Sequence, residues 1–284
     1  MSVPATNQSA PARLLIAGFG KLGARLAERY SARGTQVFGV RRGEVDGGPG
    51  VKLLRANLAD PELPPLALPG VDALVVTLPP PVIDGEIAPA GYLRSLENLA
   101  AGLPSIPGRV VFVSSTRVFE GRGDGTEISE ADAPAPTSVR ARSLVNGERS
   151  AVDLFGASII RPSGIYGPGR DSLIRRVLAG DPIQYARRTN RVHESDLVRA
   201  IEAMLDRADA PTLLHATDAG PAPLGDVATF VAEQLGAPAP PRIHPEEPSG
   251  TLLSGKRMHA LLCSLDYPSY RDGYAEIIRA RGRH

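Results

Sequence analysis

Residues 13–30 read RLLIAGFGKLGARLAERY. RLLIAGFG, residues 13–20, is a short apolar run that ends in glycines, the mark of a buried strand. From residue 21 the apolar residues fall at helical spacing. Leu22, Leu26 and Tyr30 share one face, and Gly34 supplies a stop. Between the two lies Gly18-Phe19-Gly20-Lys21-Leu22-Gly23, three glycines spaced G-x-G-x-x-G. At a strand-to-helix turn each glycine has a separate task. The first permits the tight turn, the second lets a bound group approach the backbone, and the third lets the helix pack against the strand. The helix then presents unpaired N–H groups and the positive end of its dipole to whatever sits on the turn, which suits a diphosphate.

Outward from this unit, strand and helix keep alternating. TQVFGVRR (35–42), VKLL (51–54), DALVVTLP (72–79), GRVVFVSST (108–116) and ASIIRPSGIYG (157–167) read as strands. Helices are expected over 90–103 and 137–155, with a glycine-rich loop at 121–125 before the second. The fold class is therefore α/β, a Rossmann-type doubly wound parallel sheet covered on both faces, with a smaller C-terminal substrate lobe. After 167 the pattern loosens. DSLIRRVLAG and LGDVATFVAEQLG (224–236) read as helices, as does SDLVRAIEAMLDR (195–207), for which Ser195 is a suitable cap. TLLHATD (212–218) reads as a further strand and 236–250 as an irregular proline-rich connection. The expected organisation is a disordered tail over 1–11, a nucleotide-binding domain over 12–167 with 193–218 returning to it, and a lobe from 168–192 and 219–284.

Composition removes several alternatives. The chain has 284 residues, 42% hydrophobic and 22% charged, with a net charge of +1. That is the composition of a soluble globular protein and carries no electrostatic mark of a nucleic-acid or membrane partner. A single cysteine, Cys263, forbids an internal disulfide and fits a reducing cytoplasm. No apolar run approaches the roughly 20 residues of a membrane helix. The histidines show no metal-ligand spacing, so no metal site is expected. Of the 32 basic residues only Lys21, Lys52 and Lys256 are lysines.

Where the second strand ends, an NAD site places an acidic residue on the ribose 2′-hydroxyl. Here the chain has Arg41-Arg42. A guanidinium grips a 2′-phosphate through paired hydrogen bonds, so the pair favours NADP(H) as cofactor, with NAD as the alternative. To Gly18, Phe19, Gly20, Lys21, Leu22, Gly23, Arg41 and Arg42 the expected cofactor site adds Asn57, Leu78, Pro79, Ser114 and Pro162.

Four segments, GFGKLG, VVFVSSTRVFEG (110–121), PTSVRARSLVNGE (136–148) and RPSGIYGPGR (161–170) with NRVHESDLVRAI (190–201), together resemble the NAD(P)-dependent epimerase/dehydratase branch of the extended short-chain dehydrogenases/reductases. The resemblance covers most of 13–220. The G-x-G-x-x-G loop is similar to that of the atypical members, since the extended pattern is usually G-x-x-G-x-x-G. In that family a serine or threonine, a tyrosine and a lysine in Y-x-x-x-K do the chemistry. Aligned on Pro136 and Glu148, this chain has Arg140 in place of the tyrosine and Leu144 in place of the lysine, while Ser115 matches the serine. No tyrosine occurs between 93 and 165.

A guanidinium is a poor proton donor at neutral pH. Arg140 can instead bind an anionic substrate or a cofactor phosphate, or stabilise a developing oxyanion. Tyr166, just past the sixth strand, is a second source of a hydroxyl, although the resemblance implies that it shapes the lobe. It implies a structural role also for His193 and Asp196. Tyr92 reads as core or cavity wall. The candidate catalytic set is Ser115, Arg140 and Tyr166. Three functions remain open: an NADP(H)-dependent oxidoreductase acting on a small polar or anionic substrate, a non-catalytic NADP(H)-binding sensor or scaffold, and a nucleotide-sugar epimerase or dehydratase. Family members dimerise through two helices, and 90–103 and 137–155 could serve for a homodimer.

Overall fold

The structure, a computed structural model, describes residues 10–43, 47–83, 85–88, 90–245 and 249–282. Residues 1–9 of the expected tail lie outside the described residues. Pro11 is buried, and its carbonyl accepts the Thr35 hydroxyl at 2.8 Å, so ordered chain begins before residue 12.

Seven strands form the central sheet: β1 (Arg13–Ala17), β2 (Gln36–Arg41), β3 (Val51–Arg55), β4 (Ala73–Val76), β5 (Arg109–Val113), β6 (Ser158–Pro162) and β7 (Leu213–Ala216). Their order is β7-β6-β5-β4-β1-β2-β3. Every neighbouring pair from β3 to β6 is parallel. The strand order reverses between β1 and β4, and the crevice at such a switch point is where open α/β sheets bind ligands. All four residues of β4 are buried, as are Leu14–Ala17 of β1. This is why both read as unbroken apolar runs.

The crossover helices include α1 (Lys21–Ala32), α2 (Gly91–Gly102) and α3 (Val139–Phe155). Ser138 caps α3 by accepting the Ala141 amide, and Gly156, at φ +62°, ends it in the left-handed region. The remaining helices are α4 (Ser172–Ala179), α5 (Glu194–Asp206), α6 (Leu224–Leu235), α7 (Lys256–Leu262) and α8 (Tyr270–Arg281). Among the described residues no helix is long and apolar enough to cross a membrane.

The chain divides into two compact units. One comprises residues 1–118, 136–161 and 200–214; the other comprises 119–135, 162–199 and 215–284. Residues 119–135, read as part of the nucleotide-binding domain, group with the second unit. There Glu127–Ile128 pairs with Leu252–Leu253, and a Glu130 carboxylate oxygen accepts the His215 amide at 2.9 Å. The core of this unit packs α4, α6 and α8 around Ile174, Val177, Val227, Val231 and Tyr274.

Two local expectations are corrected. The strand expected over 157–167 is two strands. β6 ends at Pro162, whose ring removes a ladder donor, and Gly164–Tyr166 pairs instead with Arg191–His193. Ser195 is not a cap, because α5 begins one residue earlier at Glu194. The Ser195 amide donates to His193 Nδ1 at 3.3 Å, so an imidazole takes the capping role.

Candidate functional site

The turn after β1 is built as its glycines require. Gly18 lies at φ +95°, and a Cβ there would stand 2.8 Å from the Thr77 carbonyl carbon. The amides of Gly18 and Phe19 both donate to the Val40 carbonyl, at 2.9 and 3.1 Å, which ties the turn to β2. A Cβ on Gly20 would meet only the Gly18 carbonyl, at 3.9 Å, so the turn leaves an open face there. A Cβ on Gly23 would press on Ile16 at 3.1 Å, which explains the third glycine by helix–strand packing. Gly20 caps α1 with no side-chain hydrogen bond. Gly20, having no side chain, leaves the N-terminus of α1 open toward the turn, and the cradle fits a diphosphate.

A cavity of about 630 Å³ opens on this turn. Its lining unites nine of the expected site residues: Gly18, Phe19, Gly20, Arg41, Arg42, Asn57, Leu78, Pro79 and Arg140. The remaining expected residues do not line it. Leu22 and Gly23 are buried in packing and Lys21 is exposed at the start of α1. Ser114 is buried after β5, its amide donating to Ile160 at 2.8 Å, and Pro162 belongs to the second unit. The lining adds Val40, Gly43, Ala56, Leu58 and Ala59 beside Asn57, and Thr77, Pro80, Pro81, Val82 and Ser95, none of which the sequence reading named. The run TLPPPV was the available signal for Thr77, Pro80, Pro81 and Val82. Among the described residues of the lining, the charged side chains are Arg41, Arg42 and Arg140. Arg41 Nε is buried and has no hydrogen-bond partner, an orphan donor at the cavity edge.

Around the positions aligned with the family's tyrosine and lysine the picture is mixed. Arg140 sits in the first turn of α3, exposed and in the cavity lining. Leu144 is 4% exposed. Ser115 follows β5, half-buried, with Oγ accepting the Arg117 amide at 3.2 Å at the start of a short helix over Thr116–Phe119. Tyr92 is buried at the head of α2, its hydroxyl donating to the Leu78 carbonyl at 2.8 Å.

Tyr166 lies in the core of the second unit. It stacks on Tyr274 at 4.9 Å, meets His193 edge-on, and spends its hydroxyl on the Ser269 carbonyl at 3.2 Å. Its expected catalytic role gives way to packing, and burial raises its phenol far above the usual range. His193 is 2% exposed and packs at 3.6 Å against Tyr267, and burial lowers its imidazole below the ordinary value. Asp196 accepts the Asp266 and Tyr267 amides, both at 2.9 Å, and pairs with Arg199. His193 and Asp196 thus hold the second unit together. Among the described residues no cluster of His, Cys, Asp and Glu could hold a metal ion.

One strong interaction had no sequence signal. Glu148 on α3 and Arg161 on β6 form a bidentate pair at 2.9 and 2.7 Å, with side chains 9% and 5% exposed. It fixes the C-terminal half of α3 to the sheet.

A doubly wound sheet with a glycine turn at its switch point, opening on an arginine-lined cavity, defines a protein of the Rossmann class. Residues 92–257 match the RmlD substrate-binding domain family, and the chain belongs to that family, within the atypical extended short-chain dehydrogenases/reductases. The protein YeeZ of Escherichia coli K12 is 34% identical over 212 residues, 68% of this chain and 73% of that one. A dTDP-4-dehydrorhamnose reductase of Mycolicibacterium smegmatis is 28% identical over 178 residues, 56% of this chain and 54% of that one. A solved structure from Methylobacillus flagellatus, assigned to the NAD-dependent epimerase/dehydratases, superposes with a TM-score of 0.81 at 29% identity, covering 96% of this chain and 100% of that one.

Proposed function

We propose that the protein is an NADP(H)-dependent oxidoreductase acting on a small polar or anionic substrate without a tyrosine/lysine pair. The observation that carries this reading is the cavity lining, in which the Gly18–Gly20 turn, Arg41, Arg42 and Arg140 meet. A reductase and an NAD-dependent epimerase/dehydratase among its relatives support a nicotinamide cofactor.

The bound dinucleotide would supply the hydride chemistry. The protein's own residues bind and orient. The glycine turn and the N-terminus of α1 hold the diphosphate, and Arg41 and Arg42 hold the 2′-phosphate. Asn57, Leu78 and Pro79 wall the cavity. The Ser115 hydroxyl orients a substrate oxygen. Arg140 holds an anionic group or stabilises charge that develops on that oxygen; the proton itself comes from water, since a guanidinium holds its own.

A second reading, an NADP(H) sensor or scaffold, is favoured by the buried Leu144 where the family has its lysine. Calorimetric titration with NADPH and NADH, followed by a carbonyl, imine and sugar-nucleotide turnover panel, tests both readings. Preferred NADPH binding with turnover that Ser115→Ala slows supports the oxidoreductase. Preferred NADPH binding with no turnover supports the sensor. Absence of dinucleotide binding at millimolar concentration refutes both.

A further inference from the structure

The wall of the cavity after β4 reads Thr77-Leu78-Pro79-Pro80-Pro81-Val82. Three successive prolines fix φ and remove three N–H donors. Such a segment cannot anchor itself through its own amides at 79–81, and its placement depends on what grips its ends and carbonyls. At one end Thr77 is tied to the turn after β1, its amide to Ala17 at 2.8 Å and its hydroxyl to Gly18 at 2.5 Å. At the other end the Pro81 carbonyl accepts the Ala88 amide at 2.9 Å. Between these ties the Leu78 carbonyl accepts the hydroxyl of Tyr92 at 2.8 Å.

Tyr92 is held for this task. It is 1% exposed. Phe112 of β5 meets its ring edge-on at 5.6 Å. On α3, a Cβ at Gly147 would lie 2.9 Å from the ring, so the glycine admits the close approach. Ser95, one turn further along α2, lines the same cavity. Burial raises the Tyr92 phenol and outweighs the opposing pull of Arg140. The hydroxyl is therefore a fixed donor and not a source of protons.

We propose that Tyr92 is a positioning residue for NADP(H): by holding the Leu78 carbonyl it sets the Leu78–Val82 wall at the separation from the Gly18–Gly20 turn that the dinucleotide needs. The proposal rests on the dinucleotide reading above. It makes the floor of the cavity a property of α2 and not of the glycine loop alone.

The full chain, as wild type and as Tyr92→Phe, Tyr30→Phe and Pro80→Gly, is titrated with NADPH by calorimetry and melted without ligand. Tyr92→Phe keeps the ring and removes only the hydroxyl. Tyr30 is an internal control: it is fully buried in the same unit, donates to Asp206 at 3.1 Å and does not line the cavity. The expected result is a dissociation constant about two- to tenfold weaker in Tyr92→Phe, the value of one hydrogen bond. Tyr30→Phe should bind like wild type although its melting temperature also falls. Pro80→Gly, which loosens the wall with Tyr92 in place, should reproduce the loss. Wild-type affinity in Tyr92→Phe, or an equal loss in Tyr30→Phe, overturns the proposal while leaving the dinucleotide reading intact. A wild-type chain that does not bind NADPH fails in the first arm and overturns the reading itself, and the proposal with it.

Discussion

The hydroxyl of Thr77 donates to the carbonyl of Gly18 at 2.5 Å, at the point where the strand order of the sheet reverses. The contact closes the chain leaving β4 onto the turn leaving β1, and it leaves no space for a side chain on Gly18. Gly18→Ala should therefore cost about 1–3 kcal/mol of stability, from the positive φ and the 2.8 Å clash with Thr77. It should also weaken NADPH binding by at least about tenfold, a loss of about 1.4 kcal/mol. Urea unfolding and calorimetry read the two effects, and a variant as stable as the parent would contradict this geometry.

Arg41 ends β2 with its Nε buried and unpartnered, while Arg42 is exposed beside it. If the pair grips a 2′-phosphate, Arg41→Ala with Arg42→Ala should weaken NADPH by about 3 kcal/mol or more, two charge-assisted contacts, and leave NADH nearly unchanged. Equal losses for the two dinucleotides would assign the arginines to the diphosphate instead.

Glu148 and Arg161 share two hydrogen bonds in a nearly dry setting. Removing one partner strands the other charge, so Glu148→Ala should destabilise by about 3–5 kcal/mol. The double replacement Glu148→Leu with Arg161→Met should cost less than the single one, because no charge is left behind. A strictly additive result in denaturant melts would show the pair to be uncoupled.

Asp218 is 3% exposed, and its Oδ1 accepts the Gly220 amide at 3.1 Å. Burial pushes its carboxyl up to about 7, against the pull of that amide and of Arg191. The unfolded chain ionises near 4. Between about pH 4 and pH 7 the folded state holds a proton that the unfolded state has released, so this group's contribution to stability falls as pH rises through that window. His193, whose imidazole is lowered by burial, acts with the opposite sign below its ordinary value. Asp218→Asn removes the first effect and keeps the second. Its melting temperature should gain on the wild type from about pH 4 to pH 7 and level off above that, and a constant gap across the window would place the titration elsewhere.

The opening strand, turn and helix were legible because each glycine answers a local demand. A Cβ at 18 meets backbone, a Cβ at 23 meets Ile16, and Gly20 stays open. The alternation that follows was equally legible, since buried parallel strands must be apolar throughout. What the sequence concealed depends on partners far along the chain. Tyr166 and Ser269 are 103 residues apart, and only the family resemblance, not the residues around Tyr166, pointed to a structural role for it. Residues 119–135 look contiguous with the first domain, yet their strand pairs with Leu252–Leu253. Glu148 and Arg161 are separated by only 13 residues, but their meeting needs α3 to lie on β6 before either charge has a reason to be buried. The break at Pro162 was readable in principle from the ring, and the isoleucines on either side, Ile159, Ile160 and Ile165, masked the signal.

Leu144 bears on the proposed chemistry without a tyrosine/lysine pair. At 4% exposure it is buried, where an ammonium would lose most of its hydration, at a cost of several kcal/mol. Leu144→Lys alone would thus be penalised before any tyrosine existed to profit from it, and Arg140→Tyr alone would lack the cation that activates a phenol. On this proposal, a designed tyrosine/lysine pair would need both changes together and would still carry the cost of burying the ammonium.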